Sequence, residues 1–385
     1  MNENTPLYYG EKACEAIMHK YTASKLPPEN VLFYHQGVFL SGMQRIYLLT
    51  GDKKYFSYVK DYVDSVIGED GELMGIDHEW TPATAPALSK IALALLDNKQ
   101  PSVLFYNLYD ETGEVKYLNA IKTVAESMRY YPVNLHGGYW HKLIEPYQMW
   151  LDGAYMVGPL SVLYAERFGY LPLRERAVNQ VLIMDEVMKD DASGLYFHGW
   201  DESKQAVWAD KETGLSAHIW GRAVGWYAVA ILDILEHLPK DHEKRAVLER
   251  IERELLKNLV RYQDEKTGLW FNVVDKPDEP RNWVESSCTN LFIYSYAKAI
   301  RTGVLAKDEG EKTLEKAYKG IIDSLYYDED GYLVVDNVCM GTNIDSGTYE
   351  HYISRPRIKN DLHGAGAFVL MCAEMQAYEN WKKGE

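Results

Sequence analysis

The chain has 385 residues, 46% of them hydrophobic and 25% charged, the balance of a folded globular protein rather than a disordered one. A formal net charge of −16 argues against nucleic acid, whose recognition draws on Lys and Arg neutralising phosphates. No stretch has the length of a membrane helix and the N-terminus has no basic segment followed by an apolar run, so a soluble, cytoplasmic protein is expected, and four widely spaced cysteines without a CxxC suit reduced thiols there.

In chain order, helices of two kinds alternate. GVFLSGMQRIYLL (37–49) is apolar almost all round, and KKYFSYVKDYVDSVI (53–67) is amphipathic and charged. A turn, EDGELMGID (69–77), follows, then the apolar SVLFYNLY (102–109) and the amphipathic EVKYLNAIKTVAESM (114–128). HGGYWHK (136–142) leads into the apolar QMWLDGAYMVGPLSVLYAERF (148–168). ASGLYFHGW (192–200) precedes the apolar GRAVGWYAVAILDILEHL (221–238), which the amphipathic HEKRAVLERIERELLKNLVRY (242–262) follows. KTGLWFNVV (266–274), the apolar TNLFIYSYAKAI (289–300), the amphipathic EKTLEKAYKGIIDSLYY (311–327), EDGYLVVDN (329–337) and the apolar GAGAFVLMCAEMQAY (364–378) complete the series.

The five Gly-centred segments, each a turn followed by alternating aromatic and polar residues, recur at roughly 55–75 residues, the signature of a repeat architecture. Helices apolar on every side are buried, and amphipathic ones cover them. Six such pairs closing on themselves predict an all-α (α/α)6 barrel, a single toroidal domain over 1–385, because no Pro/Ser-rich linker or shift in composition marks a second one. An open helical solenoid is the alternative, which would need capping repeats of a different kind.

In such a ring the starts of the inner helices surround a mouth, and unusual polar residues collect there. Asp97 precedes the second inner helix; His141, Lys142 and Asp152 bracket the start of the third; Trp220, Arg222 and Trp226 open the fourth, with His198 on the loop before it. Glu285 precedes the fifth, and Asp361 and His363 the sixth. Asp152 stands out, one carboxylate among Met149, Trp150, Leu151, Ala154 and Tyr155, where an unpaired charge costs several kcal/mol. The competing structural readings pair Asp152 with Arg222, make Asp97 a helix cap, and brace Arg222 against Trp226 at i, i+4. Aromatic residues, 13% of the chain with 30 Tyr and 10 Trp, exceed what a core needs and suit a cleft that stacks sugar rings. No HExxH, Cys/His spacing or P-loop is present, so neither metal nor cofactor is expected.

The blocks HGGYWHKLIEPYQMWLDGAYM, HIWGRAVGWY, NWVESSCTNLFIYSYAKAI and KNDLHGAGAFVL together resemble the unsaturated rhamnogalacturonyl hydrolases, glycoside hydrolase family 105. The resemblance spans nearly the whole chain in order, although LDNKQPS stands where relatives often read LDxIxPG. It implies that Asp152 is the general acid/base and Asp97 the second active-site aspartate. It further implies that His141, Lys142, Met156, His198, Trp220, Arg222, Trp226 and His363 contact the substrate. That substrate would be a pectin-derived oligosaccharide ending in a uronic acid with a C4=C5 double bond. Hydrolysis of this vinyl ether needs one carboxyl group, which protonates C4, and an apolar setting should raise the pKa of Asp152 for that task. Lys142, His198 or Arg222 would then pair with the sugar carboxylate. Still open are a two-carboxylate glycosidase using Asp97 and Asp152, an epimerase using His198 and His363, and a non-catalytic glycan-binding protein.

Overall fold

The structure is a computed structural model and describes residues 4–29, 31–74 and 93–384. Its helices are α1 (Pro6–Lys20), α2 (Tyr34–Thr50), α3 (Lys53–Val66), α4 (Val103–Thr112), α5 (Val115–Arg129), α6 (Gly153–Phe168) and α7 (Leu171–Met188). Then follow α8 (Gly221–His237), α9 (Arg245–Leu259), α10 (Ser286–Thr302), α11 (Lys307–Asp323), the short α12 (Tyr349–Ile353) and α13 (Leu362–Lys383). Three antiparallel two-stranded pairs decorate them: β1 (Gln148–Trp150) with β2 (Gly199–Asp201), β3 (Tyr326–Tyr327) with β4 (Leu333–Val334), and β5 (Val338–Cys339) with β6 (Arg357–Ile358).

The ring forms as the hydropathy pattern demands. Helix α8 is buried at every position from Gly221 to Leu235 and α10 from Ser286 to Ile300, so neither has a solvent face. Helix α9 buries only Leu248, Ile251, Glu252, Leu255, Leu256 and Leu259, a stripe that packs inward while the charged face meets water. Around the ring α2 packs on α13, α13 on α10, α10 on α8 and α8 on α6, and α4 with the 3₁₀ turns before it closes α6 back onto α2. Helices α1, α3, α5, α7, α9 and α11 form the outer layer, completing an (α/α)6 barrel. Two outer helices, α1 and α7, are not among the amphipathic segments picked out in the sequence.

Close packing of the inner layer rests on glycine. A Cβ at Gly366 would lie 2.8 Å from the Phe39 backbone nitrogen, and one at Gly225 would lie 2.8 Å from Leu291 Cβ. Larger residues would push α13 off α2 and α8 off α10, an overpacking cost of about 1–3 kcal/mol each.

The five Gly-centred segments are one device repeated. Gly71, Gly137, Gly194, Gly268 and Gly331 all take φ between 71° and 91°, a region open to glycine. Each reverses the chain after an outer helix, as in the bridges Ile67↔Leu73, Val133↔Tyr139 and Lys189↔Tyr196. The end of the first segment, 75–77, lies outside the described residues. These reversals return the chain to the ring at one end, so every inner helix starts at the same mouth. Among the described residues no helix is long and apolar enough to cross a membrane, and Cys14, Cys288, Cys339 and Cys372 are free and buried.

Candidate active site

The inner-helix starts open on a cavity of about 390 Å³. Phe33, Tyr34 and His35 reach it from the head of α2, Asp97 from the turn before α4, and His141, Lys142, Trp150 and Asp152 from the segment entering α6. Asp361 and His363 come from the head of α13. The far wall is the excursion between β5 and β6, through Met340, Gly341, Thr342, Asn343, Asp345 and Arg355.

Asp152 occupies the N-cap position of α6, yet its side chain makes no capping hydrogen bond. Its main-chain carbonyl does the structural task, accepting from Tyr155 and Met156 N–H groups, while Oδ1 is buried without a hydrogen-bond partner. At 9% exposure, burial raises the Asp152 pKa; nearby Asp97 adds to the rise and His141 offsets part of it. The rise is in the direction the sequence reading expects and makes this carboxyl easier to protonate than an exposed aspartate. It is not paired with Arg222.

Around it the imidazoles divide their states. His141 Nε2 lies 3.6 Å from Asp97 Oδ1, and its ring stacks on Trp150 with centroids 4.6 Å apart. Burial depresses the His141 pKa, but Asp97 and then Asp152 outweigh it, and the net shift is upward. Gly153 makes room for this ring, since a Cβ there would sit 3.0 Å from His141 Nδ1. His198 behaves oppositely. Its Nε2 lies 3.8 Å from Asp152 Oδ1 and its Nδ1 meets the Tyr352 hydroxyl at 2.8 Å. Burial, aided by His141 and Arg222, holds its pKa well below the usual value, so it is neutral. Asp97, 6% exposed, caps nothing and faces the cavity.

Opposite, His363 Nδ1 bonds Asp361 Oδ1, and its ring lies 3.8 Å from that of His35. Burial raises the Asp361 pKa, but His363 more than reverses this and the carboxylate stays ionised. Lys142 Nζ reaches Asn343 Oδ1 at 3.1 Å and Glu145 Oε1 at 3.4 Å, above the Trp150 ring at 3.9 Å.

Asp97 Oδ1, His141 Nδ1, Asp152 Oδ1, His198 Nε2 and His363 Nε2 are all buried without a hydrogen-bond partner. Each such atom costs about 1–3 kcal/mol unless a ligand satisfies it, which is the arrangement a polyhydroxylated ligand would complete. One ligand atom each from Asp97, His141 and Asp152 also fall within 4.8 Å of one another, a donor set that could hold a divalent cation. Sequence spacing does not reveal it because the three come from separate turns.

Five expected contact residues do not line this cavity: His198, packed against Asp152, and Arg222, Trp220, Trp226 and Met156. Arg222, 1% exposed, bonds Ser287 Oγ and the carbonyls of Cys339 and Met340, because the first turn of α8 faces the base of the excursion. Its guanidinium lies over Trp220 at 4.5 Å, not over Trp226. Trp220 donates to Asn272 Oδ1, and Trp226 stacks on Tyr155 at 4.4 Å. Met156 lines a separate cavity with Arg45 and Asp233. Glu285 caps α10, accepting from Ser287 and Cys288 N–H groups, and also takes the Cys339 N–H. Sequence reasoning missed Tyr34, His35, Asn343 and Arg355. The rule that flagged Asp361 and His363, polar residues at an inner-helix start, would have found Tyr34 and His35; nothing local marks Asn343 or Arg355.

Residues 9–379 match the sequence profile of Glycosyl Hydrolase Family 88. A glycoside hydrolase from family 105 of C. acetobutylicum ATCC 824 superimposes with a TM-score of 0.88 at 30% identity, over 96% of this chain and 99% of that one. Protein Atu3128 of Agrobacterium fabrum (strain C58 / ATCC 33970) is 32% identical over 227 residues, 56% of this chain and 96% of its own length. The unsaturated rhamnogalacturonyl hydrolase YesR of Bacillus subtilis (strain 168) is 26% identical over 318 residues, 80% of this chain and 79% of that protein.

Proposed function

The chain belongs to Glycosyl Hydrolase Family 88, with a family 105 enzyme among its structural relatives, and from that premise we propose that it removes an unsaturated uronic acid from the non-reducing end of short pectin-derived, rhamnogalacturonan-type oligosaccharides. The observation that carries this reading is Asp152: a buried carboxyl whose Oδ1 has no hydrogen-bond partner and whose pKa burial raises, in a cavity of sugar-ring size. The name of the relative YesR supports the rhamnogalacturonan substrate. In this reading the whole ring is one catalytic domain working in the cytoplasm.

Asp152 donates its proton to C4 of the C4=C5 double bond, and the ring oxygen stabilises the cation left at C5. Water attacks C5 and gives its proton to the Asp152 carboxylate, restoring the acid. The hemiketal so formed opens, breaks the bond to the aglycone and leaves a keto sugar. Asp97 opposes ionisation of Asp152, His141 is held between the two carboxyls, and neutral His198, with Nε2 3.8 Å from Asp152 Oδ1, backs that carboxyl.

A two-carboxylate glycosidase draws on a specific observation too, since Asp97 and Asp152 oxygens lie within 4.8 Å, near the roughly 5–5.5 Å separation of retaining enzymes. Turnover in D₂O separates the two. Hydration places deuterium at C4 of the fresh keto product as the ultraviolet absorbance of the double bond disappears. Cleavage without carbon-bound deuterium would replace this reading with the glycosidase, and cleavage of saturated oligosaccharides at comparable kcat/KM would do the same.

A further inference from the structure

We propose that Arg355 is the cation that reads the substrate carboxylate, and that Arg222 acts one step removed by fixing the excursion that carries it. The inference rests on the uronide reading above. An anion entering a protein of net charge −16, past Asp345 and the ionised Asp361 in the same cavity wall, needs a cation with donors to spare. Arg222 is buried on carbonyls of Cys339 and Met340 and does not line the cavity. Lys142 lines it, but its ammonium is already held by Asn343, Glu145 and Trp150.

Arg355 differs from both. It lines the cavity and donates one Nη2 N–H to the Gly341 carbonyl, and among the described residues no carboxylate forms an ion pair with it. Its Nε is buried without a hydrogen-bond partner, as is that of Arg222, so what sets Arg355 apart is its place in the cavity lining and its single bond to Gly341. A guanidinium carries five N–H donors in a plane, so four remain, enough for the two parallel bonds that a carboxylate accepts. The bond to Gly341 fixes the plane of that fork before ligand arrives, which lowers the ordering cost of binding.

The excursion is built to hold Arg355 in place. Its base is the β5–β6 pair, extended by Met340 N–H to the Pro356 carbonyl at 3.0 Å. Arg222 grips one side of that base through the Cys339 and Met340 carbonyls, and Glu285 takes the Cys339 N–H at 2.8 Å. Across the cavity Asn343 meets Lys142, and Tyr352 of α12 meets His198. Arg222 is therefore a positioning residue whose loss reaches substrate through Arg355.

The test is binding, so that it does not depend on turnover. Affinities of Asp152→Asn and Asp152→Asn/Arg355→Ala are measured by calorimetry for the unsaturated uronide as free acid and as neutral methyl ester. Arg355→Ala should weaken the acid by roughly 10-fold or more, the scale of a charged hydrogen bond, and the ester by less than about 2-fold. Arg355→Lys should restore part of the preference. Arg222→Ala should weaken the acid less than Arg355→Ala does. An unchanged acid-to-ester ratio in Arg355→Ala, equal losses on both ligands, or collapse of the ratio in Arg222→Ala alone would overturn the assignment. Failure of the uronide reading itself would show separately, as wild-type protein that leaves the double bond intact.

Discussion

At the end of the ring away from the mouth, Asp233 on α8 accepts from Lys298 at 2.6 Å, from the Tyr294 hydroxyl at 2.6 Å and from Arg45 at 3.1 Å. Lys298 also meets Glu236 at 2.5 Å, and Arg301 meets Glu374 at 2.7 Å. At the mouth, about 16 Å away along α8 at 1.5 Å per residue, Asp97, His141, Asp152 and His198 are as deeply buried but leave atoms without partners. Burial raises the pKa of both Asp233 and Asp152. At the far end Lys298 and Arg45 reverse that rise and leave Asp233 lowered, whereas Asp152 stays raised. At the far end the buried carboxylate and cations satisfy one another and lock the ring; at the mouth the buried groups keep hydrogen-bonding capacity open toward the cavity.

The largest expected contrast is in rate. Asp152→Asn should lower kcat about 10²–10⁴-fold, the usual cost of removing a general acid/base, with a thermal melting temperature equal to or above that of wild type. A folded variant keeping a third of the wild-type kcat would end the assignment of Asp152.

At the opposite end the effect should move to stability. Asp233→Ala strands Lys298 and Arg45 and should destabilise the fold by about 3–5 kcal/mol, while kcat of the fraction still folded, measured well below its melting temperature, stays near wild type. Denaturant unfolding and steady-state rates on one preparation check both halves, and loss of rate without loss of stability would erase the distinction between the ends.

Acidity gives the third contrast, with opposite signs. The Asp233 pKa is lowered in the fold, so its contribution to stability is complete above the ordinary carboxylate value and is lost as pH falls through the lower folded value. The Asp152 pKa is raised, so folding favours its protonated form. That contribution is present below the ordinary carboxylate value and is lost as pH rises through the higher folded one. Activity should fall over the same rise, and Asp152→Asn should flatten this part of the stability profile. A kcat that climbs through that range would contradict a protonated Asp152.

The smallest expected effect is that of a chelator. A cation on Asp97, His141 and Asp152 would hold Asp152 ionised and oppose proton donation, so EDTA should leave the rate unchanged and added zinc should lower it. Inactivation by EDTA with rescue by a divalent ion would turn the mouth cluster into a metal centre.

Much of the ring was legible in the chain because hydropathy around a helix is a local property. The all-round burial of α8 and α10 and the striped burial of α9 follow from which residues recur at helical spacing. The shared φ of the five turn glycines was likewise written in the Gly-centred repeats. Asp152 was legible too, as one acid whose apolar neighbours lie next to it in sequence.

What the chain could not disclose is which polar groups are satisfied by residues far away in sequence. Arg222 reads as a ligand-binding arginine until carbonyls 117 and 118 positions further on, with Ser287 Oγ, take three of its five N–H donors and hold it out of the cavity lining. Met156 sits beside Asp152 in sequence but, one helical turn deeper, faces the other cavity. Arg355 lies in a stretch with no periodicity and no motif, and only the pairing of β5 with β6 carries it back to the mouth. Helical pattern is set by neighbours three and four residues apart, so the sequence alone determined the barrel and marked the acid at the start of α6. Hydrogen-bond satisfaction is set by contacts across the ring, so the tertiary structure alone decided which cations serve the wall and which face the cavity.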